Sequence, residues 1–277
     1  MLLVDAQVHV WAAHRPERPW PADGFARTHR PVPLSPEALL AEMDAAGVDR
    51  AVLVPPCWEG DYNDLALLAA QNHPSRFGVM GRIGLGDPAN AALLPGWKRQ
   101  QGMLGARVTF IVPAHKQWLA DGICDWFWPA AEAAGMPVMV LPPDQLPAID
   151  RVAGRHPGLK LVLDHLAMTS SRRDAEAFAT IKDVLPLARH PNLAVKASAL
   201  PCYTTERYPF AGLRDYIRQV YDAFGPERMF WGTDLSRLPC SYAQAIAHFT
   251  EELPFLSARD KELIMGEAIC RWLGWET

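Results

Sequence analysis

The 277-residue sequence has little that would direct it to nucleic acid or to a membrane. It contains no lysine- or arginine-rich run, and its net charge of −4 provides no basic field for a polyanion. No apolar run approaches the roughly 20 residues that span a bilayer, and the N-terminus lacks a basic leader. We therefore expect a cytoplasmic protein with neither a nucleic-acid nor a membrane partner.

Cysteine is scarce, and several catalytic motifs are missing. There are five cysteines, an odd number without a Cys-x-x-Cys pair, so neither a disulfide framework nor a thiolate zinc site is indicated. No Gly-x-Gly-x-x-Gly follows the first predicted strand, and no Gly-x-Ser-x-Gly surrounds a serine. These absences argue against a dinucleotide-binding fold and a serine-nucleophile hydrolase.

What is present is a regular alternation of short apolar runs with longer helical patterns. Such alternation is typical of βα units, and eight units in a chain of this length favour a single (β/α)₈ TIM barrel over residues 1–277. Ser35 before Pro36 predicts the start of a helix, and Gly47 predicts its end. The strand candidates are 2–9, 51–54, 77–83, 105–110, 137–141, 159–163, 193–197 and 229–232.

Residues 12–33 fit neither a helix nor a strand. The segment contains five prolines and no hydrophobic period. A structureless stretch of this length inside a compact domain is usually functional. Because it follows the first strand, we expect it to form a lid over the mouth of a distorted barrel, with Trp11 and Trp20 as walls.

Polar residues near the C-terminal ends of the strands are the candidates for chemistry, because active sites of such barrels lie there. Asp5, Gln7 and His9 alternate along the first strand, so we expect all three to face the lumen. The remaining candidates are Arg82, Arg107, Thr109, Asp164, His165, Lys196, Ser198, Asp234 and Arg237. The histidines assigned instead to surface or helix-capping positions are His29, His73, His156, His190 and His248.

Four stretches resemble the amidohydrolase-related barrel family. Residues 5–11 read Asp-Ala-Gln-Val-His-Val-Trp and are similar to the family's opening strand, with its His-x-His pattern. Residues 164–166, Asp-His-Leu, resemble the sixth-strand histidine motif, and residues 231–234, Trp-Gly-Thr-Asp, resemble the eighth-strand aspartate motif. Residues 256–274 resemble the closing helix. The similarity runs in order along nearly the whole chain.

Two departures from the family pattern concern the metal. Gln7 stands where metal-dependent members have a histidine, and Leu-Pro-Pro at 141–143 stands where the fifth-strand ligand would fall. The fourth strand has no lysine to be carbamylated, and Arg107 cannot serve. The resemblance therefore implies the metal-independent branch, which hydrolyses lactones, and we expect no cofactor.

The implied reaction opens a small lactone that carries a carboxylate. We expect Asp234 to take the proton of the attacking water while His165, His9 and an arginine stabilise the oxyanion. Arginine binds planar carboxylates with two hydrogen bonds, so the substrate partner should be an anionic small molecule. The residues expected to bind it are Gln7, Arg82, Arg107, Arg237, Trp11 and Ser198.

Two other functions stay open. His9, His165 and Asp234 could ligate one Zn²⁺ in a zinc-dependent amidohydrolase or decarboxylase of the same fold. The reduced ligand set also suits a barrel that has lost catalysis and acts as a binding protein. The ten tryptophans and apolar helix faces leave room for a homodimer.

Overall fold

The computed structural model describes residues 1–276 and confirms the (β/α)₈ barrel. Eight parallel strands follow one another in chain order around a nearly closed barrel. Each strand is buried along nearly its whole length, as expected when one face lines the lumen and the other packs on helices. The strands are β1 (Val4–Val8), β2 (Arg50–Leu53), β3 (Phe77–Gly81), β4 (Met103–Thr109), β5 (Val138–Leu141), β6 (Leu161–Leu163), β7 (Leu193–Ser198) and β8 (Met229–Gly232).

The helices lie between the strands, and several of them are interrupted. Ser35 caps the first helix by accepting from Ala38 N–H, and Gly47 ends it in a left-handed conformation, as predicted. Residues 89–101 and 174–189 contain prolines and form several short helical segments instead of one continuous helix each. The α-helices are α1 (Pro36–Ala46), α2 (Asp64–Asn72), α3 (Leu94–Trp97), α4 (Pro113–Ala120), α5 (Phe127–Ala133), α6 (Leu146–Arg155), α7 (Asp174–Phe178), α8 (Ile181–Val184), α9 (Arg214–Phe224), α10 (Tyr242–Thr250), α11 (Ala258–Glu262) and α12 (Ala268–Leu273).

The junction between β1 and β8 is held by a buried carboxylate. Asp5 accepts hydrogen bonds from the Thr233 backbone N–H at 2.8 Å, from the Thr233 hydroxyl and from the Tyr242 hydroxyl at 2.7 Å. Burial raises the pKa of Asp5 despite these bonds. One backbone bond, from Asp234 N–H to Gln7 carbonyl at 2.9 Å, also crosses the junction.

Asp5 therefore does not face the lumen, and that expectation is wrong. Strand β1 has an irregularity between Asp5 and Val8, where its register with β2 shifts. Val4 and Ala6 pack with the lumen cluster, whereas Val8 packs with the outer helical layer, so the strict alternation changes phase. Gln7 and His9 turn inward, and Asp5 turns towards α10.

The C-terminal segment closes the end of the barrel opposite the strand C-termini. Its apolar residues, including Leu263, Ile269 and Leu273, join one cluster with lumen residues such as Met80 and Phe230. The C-terminal ends of the strands lie at the opposite end, which remains open. None of the helices in the described residues is long and apolar enough to cross a membrane.

His248 in α10 is buried, contrary to the surface position expected for it. The residue is 1% exposed, and its ring packs edge-to-face against Phe210 and Phe249. Burial lowers its pKa from 6.5 to about 4. Between these values the unfolded chain binds a proton that the folded chain does not, so His248 reduces stability as the pH falls below 6.5.

We expect His248→Phe to flatten this pH dependence. Removing the titrating ring should shrink the loss of unfolding free energy between pH 7 and pH 5 by about 2 kcal/mol. Urea unfolding at both pH values measures the difference. Phe249→Leu is the matched control, because it alters the same packing without a titratable group and should lower stability equally at both pH values. An unchanged pH dependence in His248→Phe would contradict the assignment.

Candidate active site

A cavity of about 570 Å³ opens at the C-terminal ends of the strands. A groove of similar volume, about 580 Å³, lies on the outer surface around α6 and α8 and contains no histidine. The first cavity therefore holds the candidate chemistry. Its charged and histidine lining comprises His9, Arg27, His29, Arg107, His165, Arg173, Asp234 and Arg237.

Asp234 lies at the floor of the cavity and is 2% exposed. Its backbone is left-handed, with φ of 54°, so the chain turns sharply after β8. Arg237 Nε donates to Oδ2 at 2.5 Å, whereas Oδ1 has no hydrogen-bond partner among residues 1–276. Burial would raise the pKa of Asp234, but Arg237, His9 and His29 outweigh it and hold the pKa well below 3.8. Asp234 is thus an ionised carboxylate with one oxygen left for a ligand.

His9, which follows β1, contacts polar groups through both ring nitrogens. Its Nδ1 lies 2.6 Å from the carbonyl of Val54, which can only accept, so Nδ1 carries the hydrogen. Its Nε2 lies 3.3 Å from the amide nitrogen of Gln7 and 3.2 Å from Asp234 Oδ1.

His165 follows β6 in a left-handed turn with φ of 51°. Its Nδ1 lies 2.8 Å from the Ser198 hydroxyl, and its Nε2 lies 3.8 Å from Asp234 Oδ2. Burial lowers the pKa of His165 to about 3, so the imidazole is neutral at physiological pH. Ser198 supports His165 from behind and does not line the cavity.

His29 also belongs to the site, which corrects its assignment to the surface. The loop after β1 places its ring 4.5 Å from the Trp58 ring and its Nδ1 2.7 Å from the Ser236 hydroxyl. The same nitrogen lies 4.0 Å from Asp234 Oδ1. Burial lowers the pKa of His29 to about 4. No periodic pattern surrounds His29, so only the path of the loop could reveal its position.

Ala26, Arg27 and His29 of that loop form part of the cavity wall. Arg27 reaches Cys57 Sγ at 3.0 Å, and Arg30 donates to the carbonyls of Leu235 and Ser236 at 3.0 and 3.1 Å. These contacts place the loop against the segments that follow β2 and β8. Its opening and closing as a lid stays a prediction.

The predicted substrate-binding arginines separate into two groups. Arg107 and Arg237 line the cavity, whereas Arg82 is buried outside it beside Asp61 at 3.3 Å. Arg107 donates to Asp164 through Nε at 3.0 Å, and neither of its terminal amino groups bonds another described residue. Arg27 and Arg173 also line the cavity. They lie in loops and were not predicted, because the candidates were residues near the strand ends.

Gln7 and Trp11 lie behind the cavity wall. Gln7 is fully buried, and Lys196 Nζ donates to its Oε1 at 2.5 Å. Trp11 is 1% exposed and packs edge-to-face on Trp58, which does line the cavity. Gln7 or Trp11 could contact a substrate directly only if the side chains around it moved.

The donor set can hold one metal ion. One ring nitrogen of His9, one of His29 and one oxygen of Asp234 lie within 4.8 Å of one another, and two imidazoles with a carboxylate suit a catalytic zinc. This group contains His29 in place of the His165 expected from the sequence. Arg237 already pairs with the carboxylate of Asp234, which opposes a second cation there.

Comparison with known proteins gives consistent matches along the chain. A model of the amidohydrolase family matches residues 4–275. A relative from Burkholderia ambifaria, named L-fucono-1,5-lactonase, is 30% identical over 247 residues, covering 85% of this chain and 81% of the relative.

Two solved structures show the same fold. An amidohydrolase from Burkholderia multivorans with bound zinc has a TM-score of 0.81 at 23% identity and covers 99% of both chains. A protein from Acinetobacter baumannii, described as a probable 2-pyrone-4,6-dicarboxylic acid hydrolase with citric acid bound, has a TM-score of 0.77 at 16% identity. That alignment covers 99% of this chain and 100% of the other.

The low pKa of Asp234 should depend on Arg237. We expect Arg237→Gln to raise the pKa of Asp234, because the guanidinium no longer offsets burial. Carbon NMR of aspartate-labelled protein follows the carboxyl during a pH titration. Arg214→Gln, which removes a half-buried pairing with Glu252 away from the cavity, should leave the titration unchanged. An equal pKa in Arg237→Gln and wild type would refute the dependence.

Proposed function

The chain belongs to the amidohydrolase family of hydrolases, and from that premise we propose that it opens a small carboxylate-bearing lactone by adding water. The relative from Burkholderia ambifaria is named for a lactone substrate, which supports this reaction class. The structurally similar Acinetobacter protein is described as acting on a dicarboxylic acid, which supports a charged substrate.

The observation that carries the proposal is the state of Asp234. Its carboxylate is ionised, buried and held by Arg237, and its Oδ1 is directed to the cavity without a hydrogen-bond partner among the described residues. A buried carboxylate oxygen without a hydrogen-bond donor costs free energy unless a ligand supplies that donor. Water bound to Oδ1 is the ligand that the reaction needs.

In the first step, Asp234 takes one proton from this water as its oxygen bonds to the lactone carbonyl carbon. His9 Nε2 lies 3.2 Å from Oδ1, so we assign His9 to positioning the carboxylate and the water bound to it. The product is a tetrahedral oxyanion and a protonated Asp234.

In the second step, the ring C–O bond breaks and the leaving alkoxide takes the proton back from Asp234. His165 is neutral, and with Ser198 donating to Nδ1 its Nε2–H can donate to the oxyanion. Donors placed in advance are effective in a cavity that excludes water.

The charges of the cavity favour an anionic substrate. Arg27, Arg107 and Arg173 line it beside the paired Arg237 and Asp234, so the wall carries an excess of positive charge. The free terminal amino groups of Arg107 suit a carboxylate, which accepts two hydrogen bonds from a guanidinium.

One observation favours a second candidate, the metal-dependent form of the same hydrolase. His9, His29 and Asp234 would hold the ion. When bound, zinc would lower the pKa of a water molecule towards neutrality. The pairing of Asp234 with Arg237 leads us to propose the metal-independent form first.

Asp234→Asn tests the proposed base. The amide cannot accept the proton, so ring opening should slow by about 10²–10⁴-fold. A panel of sugar-acid and dicarboxylate-derived lactones is assayed with chelator-treated enzyme, and metal content is measured in parallel. Asp150→Asn, on the outer surface beside Arg189, is the matched control and should retain full activity.

Ring opening by metal-free wild type together with a slow Asp234→Asn variant supports the proposal. Activity that appears only with stoichiometric zinc would instead support the metal-dependent hydrolase. Absence of ring opening in both forms would refute lactone hydrolysis and leave the binding-protein interpretation.

Arg107→Met tests the charge of the substrate. Losing hydrogen bonds to a charged group costs about 1.5–3 kcal/mol, so KM for a carboxylate-bearing lactone should rise roughly 10–100-fold. A neutral lactone with the same ring is the matched substrate, and its KM should change much less. Equal effects on both substrates would contradict recognition of a carboxylate by Arg107.

A further inference from the structure

We propose that Tyr203 is a further catalytic residue, whose phenol donates a hydrogen bond to the oxyanion formed when water adds to the lactone. Tyr203 ends the short helical turn Leu200–Tyr203 that follows β7. It lines the cavity and is only 1% exposed. Its place in catalysis rests on the function proposed above, whereas its capacity to bind an anionic oxygen does not.

The hydrogen of the Tyr203 hydroxyl is left for a ligand. Arg237 Nη2 lies 2.9 Å from the phenol oxygen, and a guanidinium has no lone pair, so Arg237 donates and the oxygen accepts. Among residues 1–276, Tyr203 forms no second side-chain hydrogen bond that would use its hydrogen. Burial raises the pKa of Tyr203 above 10, so the hydroxyl keeps this hydrogen at physiological pH. A buried donor at a cavity wall is completed by what the cavity binds.

Arg237 holds the phenol in a fixed position next to the proposed base. Its guanidinium carbon lies 4.9 Å from the centre of the Tyr203 ring, in addition to the hydrogen bond between Nη2 and the hydroxyl. Its Nε donates to Asp234 Oδ2 at 2.5 Å. The hydroxyl is therefore tied to the carboxylate through one rigid guanidinium, as a donor placed in advance of the reaction requires.

The two oxygens of the Asp234 carboxylate face different groups. His9 Nε2 lies 3.2 Å from Oδ1, the oxygen to which we assign the attacking water. Oδ2 instead faces Arg237 Nε at 2.5 Å and His165 Nε2 at 3.8 Å. Because Tyr203 is held by Arg237, its hydroxyl belongs to the Oδ2 side. The groups that can donate to the substrate are thus separated from the site of the water.

Tyr203 supplies a second donor to the oxyanion. An anionic oxygen accepts more than one hydrogen bond, and the reaction proposed above gives it one, from His165 Nε2–H. Tyr203 and His165 follow the neighbouring strands β7 and β6. The charge of Arg237 on the phenol oxygen polarises the O–H bond and strengthens its donation. The phenol stays protonated in both steps, because the proton of the water moves to Asp234 and then to the leaving alkoxide.

The direct test is calorimetric binding of a six-membered cyclic phosphonate monoester to chelator-treated enzyme. Its anionic tetrahedral phosphorus replaces the carbonyl carbon of a lactone, so it resembles the intermediate. Tyr203→Phe removes only the hydroxyl and should raise Kd roughly 10–100-fold, the effect of losing one hydrogen bond to a charged acceptor. Tyr208→Phe is the matched control, because that hydroxyl bonds Glu252 at 3.2 Å outside the cavity. It should leave Kd unchanged.

Kinetics with the lactone that wild type opens fastest provide the second measurement. Removing one donor to an oxyanion lowers kcat by about 10²–10³-fold, so Tyr203→Phe should lower kcat in this range with KM nearly unchanged. Combining it with Arg237→Gln separates direct donation from an effect through Arg237. A phenol that contacts the oxyanion should lower kcat again in the Arg237→Gln background. Phenylalanine fills nearly the same volume as tyrosine, and thermal unfolding checks that each variant is folded.

Failure of wild type to bind the phosphonate, or equal Kd values for wild type and Tyr203→Phe, would overturn the inference. An unchanged kcat in Tyr203→Phe would overturn its catalytic part. The same holds if the double variant is no slower than Arg237→Gln, since Tyr203 would then act only through Arg237. If wild type binds the phosphonate through Tyr203 but opens no lactone, the proposed function fails and the anion-binding role of Tyr203 stands, so the two failures are distinguishable.

Discussion

The junction at which β8 returns to β1 is the constraint on which the site depends. The Asp5 carboxylate binds the backbone and hydroxyl of Thr233 and the hydroxyl of Tyr242, and so joins the first strand to the last strand and to α10. His9 leaves β1 and Asp234 leaves β8 just beyond this junction. The nitrogen and oxygen of these residues lie 3.2 Å apart only because the two strand ends are held side by side.

The second property of the site is the pairing of buried charges across the lumen. Asp164 lies between Lys196 and Arg107, at 2.8 and 3.0 Å, and these cations outweigh burial and lower its pKa. Arg237 likewise lowers the pKa of Asp234. Buried ion pairs contribute little to stability compared with apolar packing, because desolvation offsets their attraction. Their cost is more readily explained by an electrostatic role in the reaction that we propose.

The loops supply further residues to the cavity that the strand ends form. His29 and Arg27 come from the segment after β1, Trp58 from the loop after β2, and Arg173 from the loop after β6. None of these lies in a periodic pattern, and their convergence depends on where each loop is packed. Strand ends thus supply the groups proposed for the chemistry, and the loops supply most of the positive wall proposed for the substrate.

The sequence by itself determined the eight-strand order and the presence of His9, His165 and Asp234 at the strand ends where the cavity lies, because hydrophobic period and strand polarity are local properties. Only the tertiary structure decided that an irregularity in β1 turns Asp5 away from the lumen, that Arg82 lies outside the cavity, and that His29 lies inside it. It also decided that Gln7 bonds Lys196, 189 residues away in the chain. Such contacts depend on how distant segments pack together, and no local pattern of residues encodes that packing.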